Sequence, residues 1–417
     1  LLGASDFEGL SRLHQALVRH TRLTGQEDRL LQSLRRLASI QIEQLHNLPL
    51  AAETLRQVLE AAPRDAESAV RLADVLTRIP GREVEAIEAH RRVLQLDPTR
   101  QDSYRALRDL HLALHQEDGA WLASAALIVL GCETEADRTR FESRRQPALK
   151  LRRDTLPPDG FSQWFVDEAV DPNLVRVLHL LHRPLIAVVP FKTPGDLGLS
   201  EGDRVDMTQR GTFQNMAQAC SRVFGIPLPP VFHARGRLGI AKVPLRPVAL
   251  AVGDDVLTSW RGKELRFGLG RALTTFLPGL DLAGLVDART LRLFLLAALR
   301  LAFPEWPLKG EDEVAAHLAE DLAGGMDPGN LEKVREVLTG FRQSRRALDP
   351  SAFLQGIDLT ASRVGLFMAN DLEVAGRQLK QDSLFVSDLE FGDRLVDLCA
   401  WSISARYADA RRVMIQE

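Results

Sequence analysis

Through the first third of the chain, apolar residues recur at i, i+3, i+4 and i+7, the spacing of helices with one buried stripe. Helices are therefore predicted over 51–63, "AAETLRQVLEAAP", and 85–98, "EAIEAHRRVLQLDP". Three phrases recur with them: "VLEAAPRD" from Val58, "VLQLDPTR" from Val93 and "LIVLGCET" from Leu127, offset by 35 and 34 residues. Small residues, Ala52, Ala73, Ala86, Ala89 and Ala106, stand where helices would touch. A period of this length predicts helix pairs that stack, because one pair cannot bury its apolar face alone. "RRQPALKLRRDTLPPDG", 144–160, then interrupts the pattern with basic residues and prolines. This gives repeats over 1–145, a linker over 146–160 and a second domain over 161–417.

The second domain alternates between periods. A helical stretch is predicted around 161–182, a short strand over "PLIAVVPF" at 184–191, and turns over "GDLGLSEGDRVD" at 195–206. A helix over "TFQNMAQACSRVFG" carries Phe213, Met216, Ala217, Cys220 and Phe224 on one side. "IPLPPVFHARG" is extended, and "LGIAKVP" and "RPVALAVGDDVL" read as two strands. A helix from about Gly262 to Leu277 follows, and "LRLFLLAALRLAF" at 291–303 reads as a buried core helix. That run contains Arg292 and Arg300 and is too short to span a bilayer. The expected class is α+β, mostly α: a helical repeat stack, then a domain with a small sheet and long helices.

Composition narrows the function classes. The 417 residues are 45% hydrophobic, enough for large cores. Lys and Arg number 53 against 56 Asp and Glu, and residues 1–150 hold 21 basic and 22 acidic side chains. Neither part offers a basic face for nucleic acid, so no nucleic-acid partner is expected. Cys132, Cys220 and Cys399 lie far apart outside any C-x-x-C pair, which fits a reducing compartment, and cytoplasmic localisation is expected. No secretory signal is read at the start, and the opening Leu1 is compatible with a piece of a longer protein.

The period of the first part, with Pro63 and Pro98 after two helices and Gly131-Cys132 at the third, resembles the tetratricopeptide repeat. The resemblance implies a concave surface for a protein or peptide partner along residues 43–130; an ordinary helical bundle or a spacer stack is the alternative. In the second part, a Gly-Ile-Pro-x-Pro lead-in, paired strands, "VGDDVLTS" and "KELRFGLGRAL" come in the order of the HtpX-like and prenyl-protease group of gluzincin zinc metallopeptidases, which this region, 160–380, resembles. Glu264-Leu265 and Leu269-Gly270 match that family's framework, so its His-Glu-x-x-His pentapeptide falls on Arg271-Ala272-Leu273-Thr274-Thr275. Downstream, Arg363, Gly365 and Leu366 match its Arg-x-Gly-Leu, which puts the third ligand on Asp358 and the family's Asp on Ser362.

Chemistry then argues against hydrolysis. Two His one turn apart hold the metal of such enzymes, and the adjacent carboxylate activates water. Arg271 has no lone pair to donate, Ala272 cannot act as a base, and Thr275 is a poor zinc ligand. The resemblance thus implies a degenerate zinc site at Arg271, Ala272, Thr275 and Asp358, with no metal, no cofactor and no catalytic residues, and with Arg271 paired to Asp358. An ordinary α+β domain is the alternative.

Other candidates are weaker. "GLGRAL" lacks the third glycine and preceding strand of a dinucleotide loop, and 195–206 lacks the ending of a phosphate loop. His179 and His182 in "HLLH", His233 beside Arg235, and Glu313 with His317 read as surface, capping or structural groups. The expectation is a non-catalytic protein-binding or scaffold protein, with two alternatives. These are a peptidase or other hydrolase using an unrecognised site, and a purely structural subunit.

Overall fold

Successive helices account for most of residues 7–144 of the computed structural model, which describes residues 7–24, 26–146, 150–305, 312–343, 349–382 and 386–416. They are α1 (Phe7–Thr24), α2 (Glu27–Glu43), α3 (Leu48–Ala61), α4 (Ala66–Thr77), α5 (Glu83–Leu96), α6 (Gln101–Ala113), α7 (Glu117–Val129) and α8 (Glu135–Arg144). Side-chain caps fix several of the starts: Asn47 accepts from Leu50 N, Asp65 from Ser68 N, and Thr134 with Asp137 forms a capping box. Each helix packs on the next. The first residues of α3, α5 and α7 are 35 and 34 apart, as are those of α4, α6 and α8. Ala52, Ala73 and Ala86 are buried at helix contacts, whereas Ala89 and Ala106 are only half-buried.

The chain divides into two compact units, residues 1–145 with 399–404, and residues 146–398 with 405–417. Within the first, Arg91 Nε donates to the Ile403 carbonyl at 2.8 Å. Helix α7 is apolar nearly all round and is buried from Ala120 through Ile128, so it presents little open surface. Exposed polar side chains such as Glu53, Glu60 and Glu88 stand on α3 and α5.

The second unit is α+β and mostly helical. Helices α9 (Gly160–Trp164), α10 (Pro172–Leu180) and α11 (His182–Val188) precede two short 3-10 turns at Gly195–Leu197 and Glu201–Asp203. Helix α11 replaces the strand expected at 184–191. Leu181, Leu185 and Val189 recur every fourth residue and are all buried, so the β-branched composition yields to a helical stripe. Helix α12 (Thr212–Phe224) leads into the sheet: β1 (Val231–His233), β2 (Ile240–Val243) and β3 (Ala249–Val252), in the order β1-β3-β2. β1 is parallel and β2 antiparallel to β3. β3 stops at Val252; Asp254–Thr258 is helix α13, not the continued strand the sequence suggested. The residues of 150–160 are tied to this unit, since Leu151 bridges Ile415 and Leu156 N donates to Val223 O.

Helices α14 (Gly262–Thr274), α15 (Ala288–Ala302), α16 (Asp312–Gly324), α17 (Pro328–Gln343), α18 (Pro350–Ala369), α19 (Leu372–Lys380), α20 (Phe391–Ser402) and α21 (Ala405–Met414) complete the chain. A large core gathers Leu174, Val177 and Leu185 with Leu295, Ala298, Leu322, Leu338, Phe353 and Ile357. Each such buried large side chain contributes about 1.5–3 kcal/mol. As the sequence implied, the apolar run at 291–303 falls on α15, with Leu291, Phe294, Leu295, Ala298 and Leu299 inside. No described helix is long and apolar enough to cross a membrane.

Candidate functional site

Two helices position the site. α14 ends at Thr274, three residues short of the sequence expectation, and the chain turns through Thr275–Leu277. α18 is started by Asp349, whose Oδ1 accepts from Ala352 N at 3.0 Å, with Pro350 in the first turn. It ends at Asn370, in the left-handed region at φ 51°. The helices pack closely because glycines face each other: a Cβ on Gly270 would lie 3.3 Å from Gly365 Cα, and one on Gly365 would lie 2.8 Å from Arg271 Cγ. Two positions of the framework match, Gly270 and Gly365, are thus the residues that let α14 and α18 approach.

At this crossing the Arg271 guanidinium, 1% exposed, meets two carboxylates. Nη2 donates to Asp358 Oδ1 at 2.6 Å, and Nη1 donates to Asp382. Ser387 Oγ donates to the other Asp358 oxygen at 2.8 Å. Arg394 Nε lies 3.3 Å from Asp358 Oδ2, and Arg394 Nη1 lies 3.8 Å from Asp382. The cluster therefore balances two guanidinium groups against two carboxylates. Burial pulls the Arg271 pKa down to about 10, opposed by Asp358 and reinforced by Arg394, so the side chain stays charged at neutral pH. Isolated charges at this depth would cost several kcal/mol each, and mutual pairing offsets that cost.

The other positions to which the resemblance drew attention do not join the cluster. Ala272 is buried apolar surface. Thr275 Oγ1 donates to the Ala272 carbonyl, and Thr274 Oγ1 to the Gly270 carbonyl, so both hydroxyls are taken up by their own helix end. Ser362 Oγ donates to the Asp358 carbonyl. Arg363 is held by Asp167 at 2.7 Å and by both oxygens of Asp397. Among the described residues, no group of three or more His, Cys, Asp or Glu side chains could hold a metal ion.

No protein-family model matches the chain, and no curated protein or solved structure matches it.

The histidines separate. His179 is exposed, while His182 Nδ1 lies 2.5 Å from Asp281 Oδ2, a bond that raises the imidazole pKa. His233 closes β1 and pairs with Asp254 at 2.7 Å. His317 contacts the Glu313 backbone carbonyl at 2.9 Å. Cys220 is fully buried and burial pushes its thiol up to about 12, which leaves it unreactive.

Asp382, Ser387 and Arg394 were not singled out in the sequence. Asp382 is 111 residues from Arg271, and no periodicity links them. Lys242 has a local signal, a lone Lys inside the apolar run "LGIAKVP". Its buried Nζ donates to the carbonyls of Thr275, Asp281 and Ala283 at 2.6, 2.7 and 3.1 Å, tying β2 to the chain that follows α14.

Proposed function

We propose that this chain is a non-catalytic protein-binding or scaffold protein, in which a tetratricopeptide-like stack takes a protein or peptide partner and the second unit is a metallopeptidase-like domain without its zinc site. The observation that carries this reading is Arg271. A permanent cation stands where the resemblance puts the first His ligand, and its guanidinium is committed to Asp358 and Asp382. It offers no lone pair to a metal, and the one carboxylate that could ligate is occupied by two cations and a hydroxyl. Ala272 and Thr275 supply neither base nor second ligand. Cys132, Cys220 and Cys399 form no disulfide, which agrees with a reducing, cytoplasmic setting. The 35- and 34-residue helix period supports the partner role of the stack, with α3 and α5 as its open surfaces.

Elemental analysis of the purified chain after exposure to zinc and mild chelation tests the reading. Substantially less than one zinc per chain, with no peptidase activity, is expected. One retained zinc per chain, or peptide hydrolysis abolished by chelation, overturns it. Cross-linking of the full chain to co-purifying proteins is expected to place contacts on α3 and α5, and cross-links confined to the second unit would refute the partner assignment.

A further inference from the structure

The second unit holds a cavity of about 530 Å³ lined by none of the residues of the Arg271 cluster. Its size is in the range that accommodates a small organic ligand. The walls include Ile186 of α11, Phe191, Val248 and Phe276, all apolar. Three basic side chains line the same space, His182, Lys242 and Arg246, against one carboxylate, Asp281, which is already engaged by His182. Among the described residues, no carboxylate lies within ion-pair distance of Lys242 or Arg246.

These cations are fixed in place. Lys242 Nζ bonds three backbone carbonyls and sits 4.7 Å from the centre of the Phe276 ring, and burial pulls its pKa down to about 7, so it offers no free donor and only part of a positive charge at neutral pH. Arg246 stacks over Phe191 at 4.6 Å and uses one N–H on the Ala187 carbonyl, leaving others for a ligand. His182 bonds Asp281 through Nδ1, which leaves Nε2 as its second donor when protonated. A solvent-open pocket with apolar walls, an excess of positive charge and two spare cationic donors favours one kind of guest.

We propose that this cavity binds a small monocarboxylate with an apolar body, the carboxylate between Arg246 and His182 and the body against Ile186, Phe191 and Phe276. A cationic guest would meet the permanent charge of Arg246, and a neutral one would leave the Arg246 donors without an anion.

Calorimetric titration of the full chain with octanoate, octylammonium and 1-octanol tests this at neutral pH. Octanoate is expected to bind at least about tenfold tighter than either analogue, and Arg246→Gln to weaken it by about tenfold. Arg246 is exposed, so the substitution leaves the core intact. Ile186→Trp, which fills the chamber, is expected to abolish octanoate binding, with far-ultraviolet circular dichroism confirming the fold. Asp388→Asn, outside this cavity, serves as the control and leaves binding unchanged. Equal or tighter binding of octylammonium or 1-octanol overturns the proposal. So does octanoate binding that is undiminished by Arg246→Gln or persists in Ile186→Trp in a folded protein, or no octanoate binding at millimolar concentration.

Discussion

Each unit buries a carboxylate completely, and the two are served in different ways. Asp137, in the repeat stack, takes hydrogen bonds from Thr134 N and Oγ1, from Ser124 Oγ and from Arg108, residues 3, 13 and 29 positions away. Burial alone would raise its pKa, but these bonds, those from Thr134 foremost, hold it below the usual carboxylate range. Asp358, in the second unit, depends on Arg271, 87 positions away, and on Ser387 and Arg394. A stacked repeat satisfies its buried charge from its own and neighbouring helices. The second unit does so only after distant segments have come together. Stability in the stack should therefore be lost locally, whereas in the second unit it should be lost across several elements at once.

The sharpest way to break that contrast is to remove one partner of the distant pair. Arg271→Ala leaves Asp358 and Asp382 with a reduced complement of cations, and the expected loss is about 3–5 kcal/mol in urea unfolding. In the double variant with Asp358→Ala, the losses are expected to be less than additive, with a coupling of about 1–3 kcal/mol. Additive losses would mean that the two side chains do not act as a pair.

Asp137→Ala is the matching test in the stack. It removes the N3 half of the α8 capping box, leaves the Ser124 hydroxyl without its carboxylate and leaves Arg108 with Asp109 alone, for an expected cost of about 2–3 kcal/mol. Amide exchange should accelerate in α7 and α8 while α14 and α18 keep their protection. Faster exchange spread equally over both units would contradict the local character assigned to the stack.

Gly365→Ala probes the helix approach that brings Arg271 and Asp358 together. The new Cβ would lie 2.8 Å from Arg271 Cγ and 3.0 Å from the Phe267 ring. The expected cost is about 1–3 kcal/mol, and Gly392→Ala, where nothing lies within 4 Å, should cost much less. Equal effects at the two glycines would remove the close-packing argument.

The smallest effect is read from pH. The folded-state pKa of Asp137 lies below its ordinary value of 3.8, so its contribution is complete above that value and is lost as pH falls through the folded pKa. The stability gap between the wild type and Asp137→Asn should therefore be constant near neutrality and narrow in acid below 3.8. A gap that widens on acidification would reverse the assigned sign.

The helical stack was legible because its signals are local. Apolar spacing placed α3 and α5, and phrases 35 and 34 residues apart anticipated the offsets between successive helix pairs. The same reasoning located β2, β3, α12 and α14, whose patterns lie within single elements. It failed at 184–191, where β-branched residues suggested a strand but Leu181, Leu185 and Val189 share one buried helical stripe.

The sequence by itself determined that position 271 carries a permanent cation, that 271–275 contain neither His nor carboxylate, and that Arg271 and Asp358 have opposite charges that can pair. Tertiary structure decided that Asp382, Ser387 and Arg394 complete the cluster, and that Lys242 meets three carbonyls. The physical reason is range. Caps, stripes and repeats arise between residues a few turns or one period apart, so their chemistry is written along the chain. A buried charge needs neutralising wherever the fold places it, and Coulombic attraction acts on distance in space without regard to sequence separation.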